Sequence, residues 1–150
     1  MRALRAFVQD HPRPLELAYH LTERLFRRLD PWLARLGYHR VGPPLAALEK
    51  LSKRPIFGCQ MCGQCTLQST GMTCPMTCPK LIRNGPRGGV RAGGFCEVYP
   101  DRQCIWVQAY ERSRKMPRYG ERILDHQPPL DWRLTGTSAW LNLIASDRDA

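Results

Sequence analysis

All seven cysteines of this 150-residue chain fall between Cys59 and Cys104, and that crowding constrains the fold more than any other feature. Cys59, Cys62 and Cys65 stand at C-x2-C-x2-C spacing, Cys74-Pro75 and Cys78-Pro79 follow, and Cys96 and Cys104 lie beyond a glycine-rich turn. Thiols two residues apart converge when the backbone curls tightly, and each Cys-Pro step keeps the chain from running on as helix. The pattern reads as a metal site. An odd cysteine count argues against a complete disulfide framework. The N-terminus holds no apolar run of signal-peptide length, and nowhere do ~18 apolar residues run together. A cytoplasmic protein without membrane insertion is expected, and in a reducing compartment clustered thiols are metal ligands before they are disulfides.

The metal is chosen by the arms. Structural zinc usually takes paired C-x2-C arms. Here the first arm carries three cysteines and later ones precede proline, as in the ferredoxin run C-x2-C-x2-C-x3-C-P, except that eight residues separate Cys65 from Cys74. Iron–sulfur is favoured, with one or two 4Fe-4S clusters, and zinc is the alternative. Seven cysteines leave three beyond a first cluster. Those three could hold a second cluster with one non-cysteine ligand, hold zinc with a histidine, or stay partly free. The simplest grouping joins Cys59, Cys62 and Cys65 to one of the Cys-Pro cysteines.

Between the cysteines runs Lys80 to Phe95, with five glycines, four basic residues and no acid. Asn84, Gly85, Arg87, Gly88 and Gly89 form a turn whose N–H groups could face an anion, either cluster sulfur or a phosphate. Glu97 and Asp101 could orient ligands, although Asp101 also reads as a helix cap. His20 and His39 could complete a zinc site but have no ligand-spaced neighbour, and with His11 and His126 they form no catalytic motif.

On either side the pattern is helical. Leu17, Ala18, Leu21, Leu25 and Leu29 predict an amphipathic helix over 13–30, which Asp30-Pro31 ends by opening a short helix from Trp32 to Leu36, closed by Gly37. Pro43-Pro44 opens a third, Leu45 to Ser52, with Leu45, Leu48 and Leu51 inward. These stripes read as core, with a docking face as the alternative. Asp101 is expected to cap a helix to Arg112 that carries Cys104 in its first turn, where the dipole favours a thiolate. A last helix spans Thr137 to Ala145, and Trp132 and Trp140 are expected to pack in the core. The expected fold is a small α-rich, irregular, metal-braced domain with little β-sheet: a helical N-terminal region over 1–56 and a cysteine-rich metal-binding domain over 57–150.

The excess of 23 basic over 13 acidic residues gives a formal charge of +10, a balance that suits nucleic acid or an acidic partner. Bound thiolates would lower that charge. No zinc-finger spacing occurs and no aromatics interleave with the basic runs, so nucleic acid is not favoured.

Cys62-Gly-Gln-Cys65, the block Ser69 to Lys80, the turn Asn84-Gly-Pro-Arg-Gly-Gly89, Cys96-Glu-Val-Tyr-Pro-Asp101 and Cys104-Ile-Trp-Val107 resemble the methylenetetrahydrofolate reductase C-terminal domain. Leu130-Asp-Trp132 and Gly136-Thr-Ser-Ala-Trp140 resemble its tail, so the likeness runs from Phe57 to Leu143. The resemblance implies a non-catalytic electron-transfer or assembly subunit of an oxidoreductase in one-carbon metabolism. Electrons from a ferredoxin-like donor would reach a flavin carried only by the partner reductase, which reduces the methylene group of its folate substrate. It makes Cys59, Cys62, Cys65, Cys74, Cys78, Cys96 and Cys104 the candidate ligands. A reductase barrel needs ~250 residues, so catalysis would belong to the partner. The competing reading is a non-catalytic zinc-stabilised interaction module.

Overall fold

The computed structural model describes residues 7–86 and 88–148. Among the described residues, four α-helices of nine residues or more, a helical stretch over 7–10 and several 3-10 turns enclose a core of loops. Among the described residues the only β pairing is two isolated bridges, Arg91 with Phe95 and Phe95 with Gln103. The fold is small and helical, as the sequence leads one to expect.

Helix α1 spans Pro12–Leu36 and α2 spans Tyr38–Phe57. Two expected boundaries are corrected. Asp30-Pro31 does not end the first helix: Pro31 lies inside α1 on its exposed side, where a carbonyl deprived of its N–H partner faces water, and the Asp30 carboxylate takes a hydrogen bond from the Tyr38 hydroxyl instead of capping. Pro43-Pro44 likewise does not open α2. The helix begins a turn earlier, after Gly37, whose φ of 85° turns the chain between the two helices. Arg40 and Val41 donate their N–H groups back to the Gly37 carbonyl.

The leucine stripes expected in the core point outward. Leu17, Leu21, Leu25 and Leu29 are all exposed, Leu21 at 55%, and on α2 Leu48 and Leu51 are exposed at 62% and 76%. The buried faces are instead Pro12, Glu16 and Tyr19 on α1, and Ala46, Glu49 and Lys53 on α2. The reason lies in what the helices cover. A core built of loops carries backbone donors with no ladder to join, and these must find acceptors. Glu16 accepts from the N–H groups of Arg118 and Tyr119 at 2.8 and 2.7 Å. Glu49 accepts from the Trp140 N–H, the Ser138 hydroxyl and Lys53.

The core itself gathers Tyr19, Leu67, Met72, Met76, Met116, Tyr119 and Trp140. Trp140 stacks on Phe26, with ring centroids 5.5 Å apart, and meets Tyr19 at 4.7 Å. Trp132, expected beside it, is 62% exposed. Helix α3 spans Ile105–Ser113, not Asp101 to Arg112, and buries Trp106, Ala109, Arg112 and Ser113. Asp101 is exposed in the preceding turn and does not cap it; Cys104 occupies the cap position. Gly71, at φ 58°, packs so closely on α3 that a Cβ there would run into the Ala109 carbonyl. Helix α4, Ala139–Arg148, starts two residues later than expected and closes against α1 and α2. No helix among the described residues is long and apolar enough to cross a membrane.

Candidate metal centre

The end of α2 delivers the chain to the cysteines. Gly58 takes the left-handed conformation at φ 68°, ψ 31°, and its N–H closes the helix on the Arg54 carbonyl at 3.0 Å. Two further positive-φ residues, Met61 at 53° and Gly63 at 75°, curl the segment that follows. At Gly63 this is obligatory, because a Cβ would collide with the Leu134 carbonyl. The C-terminal tail clamps the curl from outside. The Gly136 N–H donates to the Met61 carbonyl at 2.7 Å, the Asn142 amide to the Gly63 carbonyl at 2.8 Å, and the Gln64 amide to the Asp131 carbonyl at 3.2 Å.

The outcome is a cavity lined by Cys59, Cys62, Cys65 and Cys74 together. Three of these sulfurs accept a backbone N–H from two residues on: Cys59 from Met61 at 3.3 Å, Cys65 from Leu67 and Cys74 from Met76. Such bonds favour the thiolate, yet burial dominates. Desolvation pushes the Cys59 and Cys65 thiols up and takes Cys74 to about 12. Burial thus favours the neutral thiol at Cys59, Cys65 and Cys74, and thiols gathered in one cavity become ligands when a cationic group displaces their protons.

Two cations line the same cavity, and the sequence reading missed both. Lys53 is buried, pairs with Glu49 Oε2 at 2.6 Å and lies 4.8 Å from the centre of the Trp140 ring. Burial pulls its pKa down, but Cys65, Glu49 and Cys59 outweigh this and leave it raised. Arg83 donates from Nη2 to the Gln64 carbonyl at 3.0 Å, while its Nε and Nη1 are buried with no hydrogen-bond partner among the described residues. The Glu49–Lys53 spacing of four on α2 was the available sign for the first. For Arg83 there was none beyond its place in a basic stretch.

Cys78, Cys96 and Cys104 line a second cavity, with Glu97, Lys80 and Trp106. Lys80 and Glu97 form an ion pair. The Cys96 N–H reaches the Arg102 carbonyl and the Cys104 N–H the Gly94 carbonyl, both at 2.8 Å, which ties this loop to the start of α3. An open groove touches Cys62 and Cys78, one cysteine from each cavity, and carries Tyr99, Arg102 and the exposed Trp132 on its walls.

The expected cradle divides. Gly88 and Gly89 line the second cavity, and Gly89 leaves no room for a Cβ beside the Glu97 carboxylate. Asn84 instead pins the loop, donating to the Gln127 carbonyl at 2.7 Å and accepting from its N–H at 2.9 Å. Gly85 has open space around it, and Arg87 lies outside the described residues. No histidine lines either cysteine cavity. His20 shares a 2.7 Å hydrogen bond with the Tyr119 hydroxyl, and His39 borders a separate groove. No three His, Cys, Asp or Glu side chains among the described residues converge as the ligands of a single ion would.

Residues 39–133 match the family model described as methylene-tetrahydrofolate reductase C terminal. The chain belongs to that family. The match takes in nearly all of α2, all seven cysteines and α3, so the C-terminal-domain pattern of methylene-tetrahydrofolate reductase begins earlier than the cysteines do. Helices α1 and α4 lie outside it. No curated protein and no solved structure matches the chain.

Proposed function

We propose that this chain is an iron–sulfur electron-transfer or assembly subunit that works beside a separate flavin-bearing methylenetetrahydrofolate reductase, with a ferredoxin-like protein as electron donor. The family link supports the reductase partner. The observation that carries the rest is the first cavity, where four thiols, three N–H donors to sulfur and two buried cations face a common space. That donor set fits an anionic group held by four thiolates. Cys59, Cys62, Cys65 and Cys74 would hold a 4Fe-4S cluster, whose chemistry is reversible one-electron transfer. N–H groups and cations around thiolate sulfur stabilise the more negative, reduced state, which is the protein's lever on potential. Cys78, Cys96 and Cys104 would hold a second metal group, either a cluster completed by a non-cysteine ligand or zinc. The groove between the cavities, walled by Tyr99 and Trp132, is the face offered to the redox partner.

Purification without oxygen, followed by iron, zinc and acid-labile sulfide analysis and visible spectra before and after dithionite, tests the reading. About four irons per chain or more, with a visible band that bleaches, is the expected result. Stoichiometric zinc without sulfide or colour would overturn it in favour of a zinc-stabilised interaction module, a reading to which the exposed leucines of α1 and α2 lend support.

A further inference from the structure

Arg83 stands on the segment leading from Cys78-Pro79 to the glycine-rich loop, yet its side chain lines the cavity of the other four cysteines. One arm of the guanidinium is anchored, Nη2 donating to the Gln64 carbonyl between Cys62 and Cys65. The remaining nitrogens, Nε and Nη1, are buried and have no acceptor among the described residues. Arginine cannot shed its proton to escape this, so a buried guanidinium needs an acceptor and a counter-charge.

The protein around the cavity does not supply one. Among the described residues Glu49 is the only carboxylate on its lining, and it is already engaged by Lys53, the Ser138 hydroxyl and the Trp140 N–H. The four cysteine sulfurs are the anions that could form there. Resting on the function proposed above, we infer that Arg83 is a positioning residue for the group the four thiolates hold: its free N–H groups donate to sulfur while Nη2 keeps the fork in register with the Cys62–Cys65 turn. Lysine would keep the charge but not the fork. A fixed cation and donors beside sulfur stabilise the reduced state over the oxidised one, so Arg83 raises the reduction potential of the centre.

The test uses the full chain, loaded with iron and sulfide without oxygen, as wild type, R83K, R83M and, for an exposed arginine away from the cavity, R114Q. Iron content and a potentiometric titration followed by EPR are read for each. Expected is a reduction equilibrium about tenfold less favourable in R83M, which is 59 mV for one electron, an intermediate value for R83K and no change for R114Q. R83M loaded like wild type with an unchanged potential would overturn the inference and leave the functional reading standing. Should R83M fail to load, R83K decides through the exchangeable-proton couplings of the reduced centre: their partial loss supports the assignment, and couplings identical to wild type overturn it. Wild-type protein that takes up no cluster would overturn the functional reading and this inference together.

Discussion

Glu16 shows how a single acidic residue can hold a loop core. Its side chain is 1% exposed and accepts two backbone N–H groups from the turn that opens at Arg118. A charged acceptor is worth more to such donors than a neutral one, and removing it strands both. Glu16→Ala is therefore expected to lower unfolding free energy by about 3 kcal/mol, with Glu16→Gln recovering most of it, as urea titration would reveal; equal stability for Ala and wild type would contradict the assignment. Tyr19 makes a prediction in pH. Burial, with Cys65, Glu23 and Tyr119 nearby, raises its pKa above the ordinary tyrosine value. The folded state thus favours the neutral phenol. That contribution is whole below the unfolded value of about 10 and is lost as pH rises above it, while Tyr19→Phe should flatten this alkaline limb. Thermal midpoints measured across the alkaline range, alongside tyrosinate absorbance, check the sign. Neither role was legible in the sequence, because the acceptors Glu16 and Glu49 look like solvated helix residues until the loops they serve are in place.

At the scale of elements, helix content was legible and helix facing was not. Leucines at four-residue spacing mark one face of α1 correctly, but periodicity does not say whether that face meets core or solvent. The decision came from the loops, whose unpaired N–H groups drew the carboxylate faces inward and left Leu17, Leu21, Leu25 and Leu29 outside. Proline was misread for a related reason: Pro31, Pro43 and Pro44 sit on exposed helix surface, where the missing hydrogen bond is replaced by water. The exposed ridge gives a sharp test, since a core leucine cut away costs 2–5 kcal/mol and an exposed one about 0.5 kcal/mol or less. Leu21→Gln with Leu25→Gln should leave the thermal midpoint of the isolated chain close to wild type. A drop of the size expected for two core residues would return these leucines to the interior. The cysteine segment was more legible, because C-x2-C spacing acts locally. Cys59, Cys62 and Cys65 share a cavity through the turns at Met61 and Gly63. That Cys74 joins them while Cys78, four residues on, faces the other cavity depends on the turn over Pro75–Thr77, which spacing does not encode.

At the scale of the molecule, the chain is tied together by contacts that cross the expected boundary near residue 57. Glu16 and Tyr19 on α1 meet Tyr119 and Trp140, Lys53 and Glu49 on α2 border the first cavity, and Arg112 of α3 reaches Thr73, Gln9 and Asp10 near the N-terminus. From these long-range polar ties we expect the helical region and the cysteine-rich domain to fold together. If so, a chain beginning at Gly37 should lose more than α1. The Arg118 and Tyr119 N–H groups would be left unpaired, Trp140 would lose the Tyr19 and Phe26 rings, and α4 would no longer clamp the turn at Gly63 through Asn142. Because metal binding draws on the same folding free energy as the site that receives it, that truncated chain should take up far less iron under conditions that load the full protein and should show amide exchange approaching that of an unfolded chain. If it instead loaded iron fully and protected its amides, α1 would be an independent appendage, and the Glu16 carboxylate it buries would be an ornament of a core that stands without it.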